Sequence, residues 1–114
     1  MADYVVGLLR AWSVHGTHVA GTIAAAINGV GVTGVAPGVK VASVKVVDND
    51  GYIYPQAAIC GFMWVAEQGM QLTNNSYYID PRQFNCRNDE RQHPVWRAVQ
   101  RAIRYLVRLQ CSGL

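Results

Sequence analysis

Charge is scarce in this chain of 114 residues. Asp, Glu, Lys and Arg make up 15% of it and apolar residues 51%, where an average soluble domain is about a quarter charged. The length suits one domain, but the balance reads like a slice through the interior of something larger. The net charge of +3 is too slight for a protein whose main partner is nucleic acid, so none is expected. Long apolar runs are missing as well. No stretch reaches the roughly 18 residues of a membrane-spanning helix, and no membrane partner is expected. Residues Met1 to Leu9 lack a basic start and are too short and interrupted for a signal peptide. A His-Glu-x-x-His pattern is absent, and His15 and His18 have no evident third ligand, so neither a metal nor a cofactor is expected. The three cysteines, Cys60, Cys86 and Cys111, leave at least one unpaired.

What is present is concentrated. Residues 1–79 hold seven charged side chains and residues 80–114 hold ten. From Thr17 to Ile27 there is no formal charge, no proline and one glycine. Gly16, Ala20 and Ala24 stand four apart, as do Gly21 and Ala25, so they share faces of a helix with almost no side chains. Val19, Thr22, Ile23 and Ala26 fill the remainder, and no polar face is left. A helix apolar all round is a buried one, with Asn28-Gly29 as its stop. His15 falls in its first turn. The positive end of the helix disfavours an added proton there by about 0.3–1 kcal/mol, which helps keep the imidazole neutral, as a general base must be. The effect is too small to set chemistry without a partner carboxylate. Asp3, the only carboxylate before His15, is not expected to be that partner.

Further elements follow in order. Val39 to Val47 is a valine-rich, mostly buried strand. Asp48-Asn49-Asp50-Gly51 opens like a calcium loop but lacks the rest of that pattern, and reads as a plain turn. Gln56 to Gln68 is a core helix with Gly69 as its stop. Gln71 to Ser76 is a short strand, and a frayed third strand is placed near Tyr4–Leu9. The sequon Asn74-Asn75-Ser76 sits at a strand end and reads as unused. Pro94 to Leu109 is a helix with Arg97, Arg101, Arg104 and Arg108 on one face and Val95, Val99, Ala102 and Leu106 on the other, which reads as an outer helix with a solvated basic side.

The string His15-Gly16-Thr17-His18-Val19-Ala20-Gly21-Thr22 resembles the histidine motif of the subtilisin-like serine peptidases. Gly31-Val32-Thr33-Gly34-Val35-Ala36-Pro37 continues the likeness, and Asn74 and Ser76 match a later family segment. The resemblance runs from about residue 14 to 105, with 106–114 a divergent tail. It implies an α/β fold with parallel strands flanked by helices, spanning residues 1–114 as part of a catalytic domain. It implies a serine endopeptidase acting on peptide or protein substrates, with His15 as the general base. It places substrate-binding backbone at Gly51, Tyr52 and Ile53 on one side and at Ser76 and Tyr77 on the other, although Tyr52, Ile53 and Tyr77 are bulkier than the family's residues. It also implies a secreted setting, in which Cys60 and Cys86 would pair if any disulfide forms. The family's aspartate turn, oxyanion asparagine and Gly-Thr-Ser-Met-Ala nucleophile are not among these residues, so the chain alone is expected to be inactive and to need the missing parts of the domain. The alternatives are a non-catalytic peptide-binding or inhibitory module, or a truncated or frame-shifted product with no role.

Overall fold

The computed structural model describes residues 4–9, 14–76 and 86–112. Asp3 lies outside them. Three strands, β1 (Tyr4–Leu9), β2 (Lys40–Lys45) and β3 (Leu72–Asn74), alternate with three helices, α1 (Val14–Ala24), α2 (Pro55–Glu67) and α3 (His93–Ser112). The α/β expectation holds. The strand order is β2-β1-β3. β1 pairs in parallel with β2, Tyr4 opposite Lys40, and with β3, Val5 opposite Leu72. The strand expected to be frayed is thus the centre of the sheet.

That order fixes where the helices go. The chain steps from β1 to β2 in one direction and from β2 back across β1 to β3 in the other. Crossovers between parallel strands are right-handed, so opposite steps put α1 and α2 on opposite faces. The packing agrees. Ala42 and Val44 of β2 lie against a core made by Val46, Ile53, α2 and α3, in which none of the described side chains of α1 takes part. Ala58 and Val65 of α2 are fully covered there, and Ala102 and Leu106 bring α3 onto α2. The arginine side of α3 is exposed, as its spacing requires.

Two helix ends show local and non-local control. α2 begins with Pro55 in its first turn, where a missing N–H costs nothing. It ends in a Schellman turn: Gly69 at φ 65° donates to Ala66 O and Met70 donates to Val65 O. Met70 is buried with Val65, which supplies the apolar contact that accompanies this motif. α1 behaves otherwise. It stops at Ala24, ahead of the expected Asn28-Gly29. Its last carbonyls are taken from outside: Gly34, Val35 and Ala36 donate to Ala25, Thr22 and Ile23 at 2.9, 3.0 and 2.8 Å. A returning loop closes the helix end.

Gly34 is the tight point of that closure. A Cβ there would overlap the backbone nitrogen of Ala25 and come within 2.7 Å of Ala24 N and Ile23 O. Backbone on both sides cannot yield as a side-chain tip can. Gly34→Ala is expected to cost about 1–3 kcal/mol, the usual range for overpacking, read as a lowered denaturant midpoint. An unchanged midpoint would show that the loop is not held against α1 in solution.

Candidate functional site at the carboxyl ends of the strands

In an open parallel sheet, ligands bind outside the carboxyl ends of the strands, where neighbouring strands send their connections to opposite faces. β1 leads into α1 on one face, whereas α2 and α3 occupy the other. At this end β1 therefore diverges from both of its neighbours, β2 and β3. His15 stands there, exposed, in the first turn of α1. Its Nε2 is 3.2 Å from the carbonyl oxygen of Ser76, just past β3 and 61 residues away in sequence.

The contact assigns a proton. A carbonyl oxygen only accepts, so Nε2 of His15 carries the hydrogen in this arrangement. A neutral ring then has its lone pair on Nδ1. Among the described residues, no carboxylate is hydrogen-bonded to either ring nitrogen. The segment beside His15 is braced by its own side chains: Asn74 Nδ2 donates to Ser76 Oγ at 2.9 Å, and Asn75 Nδ2 donates to Thr73 Oγ1 at 3.1 Å. The serine hydroxyl thus faces Asn74, and only its carbonyl faces the imidazole.

On the other flank of β1 lies the connection after β2. Because all three strands are parallel, it leaves the same end of the sheet. Gly51 is half-buried with φ 94°, a conformation that favours glycine. Tyr52 is exposed, and both of its backbone groups are used: its N–H donates to Asp48 Oδ1 and its carbonyl accepts from Asp48 N, each at 2.9 Å. The sequence reading took Asp48 for part of a plain turn. Its carboxylate also accepts from Asp50 N at 3.0 Å, so it is the organiser of the loop; an Asp two residues ahead of a second polar turn residue is the signal for such a closure. Gly51–Ile53, where the resemblance implies substrate-binding backbone, form this loop. Ile53 is buried in the core at 6% exposure, so its side chain braces the loop from beneath.

The structure thus brings His15 and Ser76 into contact and places Gly51 and Tyr52 on the opposite flank of the same sheet end. Tyr77 lies outside the described residues. Cys60 and Cys86 are free and exposed, so the pairing that the resemblance implied is not formed. No helix among the described residues is long and apolar enough to cross a membrane.

The family model described as "Subtilase family" matches residues 8–108, a span that begins before and ends slightly after the likeness read from motifs. Among curated proteins, the chain is 47% identical over 64 residues to Subtilisin E of Bacillus subtilis (strain 168), covering 56% of this chain and 17% of that protein. It is 44% identical over 62 residues to Subtilisin DY of Bacillus licheniformis, covering 54% and 23%. It is 39% identical over 69 residues to Fervidolysin of Fervidobacterium pennivorans, covering 55% and 10%. The aligned part therefore spans less than a quarter of each of these relatives.

Proposed function

The chain belongs to the subtilase family, and from that premise we propose that residues 1–114 are part of the catalytic domain of a subtilisin-like serine endopeptidase. The observation that carries the reading is the position of His15. It occupies the switch point of the sheet, between two loops that leave the same end on either side of it. In a completed domain, His15 Nε2 takes the proton of a serine hydroxyl as that oxygen attacks a peptide carbonyl, then gives it to the leaving amine. This requires the lone pair on Nε2. A carboxylate accepting from Nδ1–H selects that tautomer, and it would draw the proton away from the Ser76 side. The missing parts of the catalytic domain are thus the partner that converts the ring from its present tautomer to the working one.

Substrate recognition in this reading is by backbone. An extended peptide lies between the Gly51–Tyr52 loop and the Ser76–Tyr77 segment, adding a strand beside them. Tyr52 contributes an exposed side chain to the wall, while Ile53 contributes support. The Ser76 carbonyl is an acceptor that a substrate N–H would take over from His15.

A graft tests the proposal. Residues 14–76 replace the matching segment of Subtilisin E, and hydrolysis of a broad peptide substrate is followed with and without a serine-directed inhibitor. Inhibitor-sensitive turnover that disappears in the His15→Ala form of the graft is expected. A folded graft with no turnover, or one indifferent to His15→Ala, refutes the assignment. One observation favours a second reading: with Nε2–H turned to Ser76 O, the chain as it stands is a peptide-binding surface without a base. Saturable peptide affinity with no cleavage, even in the graft, would select that reading.

A further inference from the structure

The protease reading makes no use of α3. A cleft of about 350 Å³ runs along the first turns of α3, lined by Arg87, His93, Trp96, Arg97, Gln100, Arg101 and Arg104. Four arginines line it, and no carboxylate is among the described residues of its lining. Arg97, Arg101 and Arg104 are exposed and have no ion pair among the described residues. Like charges this close raise the energy of the empty cleft, and an anion relieves it.

The fourth arginine is placed by built contacts. Arg87 lies with Cζ 5.7 Å from the centroid of the Trp96 ring, a cation–π distance. Nδ1–H of His93 donates to Arg87 O at 2.7 Å, and the His93 ring leans on Trp96 at 5.7 Å between centroids. The nearby carboxylate of Asp89 is occupied in capping: it accepts from Arg91 N at 2.8 Å, Gln92 N at 3.2 Å and Gln92 Nε2 at 3.2 Å. Asp89 and Glu90 line a separate depression that shares only Arg87 and His93 with the cleft.

We propose that this cleft is a binding site for a compact polyphosphate. Guanidinium forks bind phosphate oxygens two at a time. Arg97 to Arg104 is about 10 Å of helix at 1.5 Å per residue, a length over which linked phosphates offer several such oxygens. The same geometry disfavours two other polyanions. A single-stranded nucleic acid needs an open aromatic face on which to stack its bases, and Arg87 covers that of Trp96. An anionic membrane needs the apolar side of the helix, and Ala102 and Leu106 bury it against α2.

Calorimetric titration of the full chain with tripolyphosphate tests this. A saturable single site is expected, weakened at least tenfold by the double variant Arg101→Gln with Arg104→Gln. The variant Arg91→Gln, which removes an exposed arginine outside the cleft, is expected to leave affinity within about twofold, since a bulk charge effect would fall on it equally. Helix content by circular dichroism accompanies each variant. A second readout does not depend on heats: tripolyphosphate should protect Arg97, Arg101 and Arg104 from phenylglyoxal, as mapped by mass spectrometry. Absence of saturation and protection, equal weakening by Arg91→Gln, or tighter binding to an oligonucleotide or to phosphatidylserine vesicles overturns the proposal.

Discussion

Incubated alone with a broad peptide substrate, the 114-residue chain is expected to show no inhibitor-sensitive hydrolysis, at a rate about 10⁶-fold or more below that of a complete subtilase. In subtilisin itself, the family's type example, removing the serine or the histidine alone costs about 2 × 10⁶ in kcat, because the triad acts as a unit. Here the deficit is larger than one residue. Among the described residues the serine in contact with His15 is Ser76, and it offers the imidazole a carbonyl at 3.2 Å while its hydroxyl accepts from Asn74. No carboxylate among the described residues orients the ring, and the Ser76 carbonyl engages the nitrogen that a base needs free. Each fault by itself removes general-base catalysis, and the faults do not add. Purified chain, a sensitive fluorogenic peptide and a serine-directed inhibitor suffice. Turnover that is lost in both His15→Ala and Ser76→Ala would mean that Ser76 turns its hydroxyl to the ring and acts as the nucleophile.

Local chemistry was legible in the sequence, and non-local closure was not. Gly69 could be placed as a stop because a positive φ is a property of the residue itself, and α2 ends there in the structure. The two faces of α3 could be read because the period of a helix is fixed, and Ala102 and Leu106 are indeed its buried side. The end of α1 was misplaced because nothing near Ala24 announces it; the N–H groups that finish it come from Gly34–Ala36. β1 was underrated for the same reason, since a six-residue run reveals nothing of having a partner on both edges. At the site, the motif named His15, but its neighbour at Ser76 is a property of the sheet order. Ile53 shows the same limit: the motif marks its position, but its burial follows from packing against α2 and α3 that the local sequence does not announce.

Thermal unfolding of the isolated chain is expected to be broad, with binding of a hydrophobic dye before the transition, and with the weakness confined to one face. α1 holds Val19, Ala20, Ile23 and Ala24 only half-buried, and among the described residues none of its side chains enters the core. The loop after it leaves Ile27 at 77%, Val30 at 78%, Val32 at 78% and Val35 at 87% exposure. Fully burying one such side chain is worth about 1.5–3 kcal/mol, so four of them forgo roughly 6–12 kcal/mol. A whole domain is stable by only about 5–15 kcal/mol. The chain is also wide for its length, with a Cα radius of gyration of 15.4 Å where about 13 Å is usual. The opposite face is better closed, since Ala58 and Val65 of α2 are wholly covered. Hydrogen exchange should therefore divide the molecule: amides of α2 slow, those of α1 fast, because local opening follows buried apolar contact. Supplying the remainder of a subtilase catalytic domain as a separate chain should slow α1 and suppress dye binding. A monomer with a sharp cooperative melt, no dye signal and equal protection in α1 and α2 would refute this, and would show that the exposed valines close on themselves.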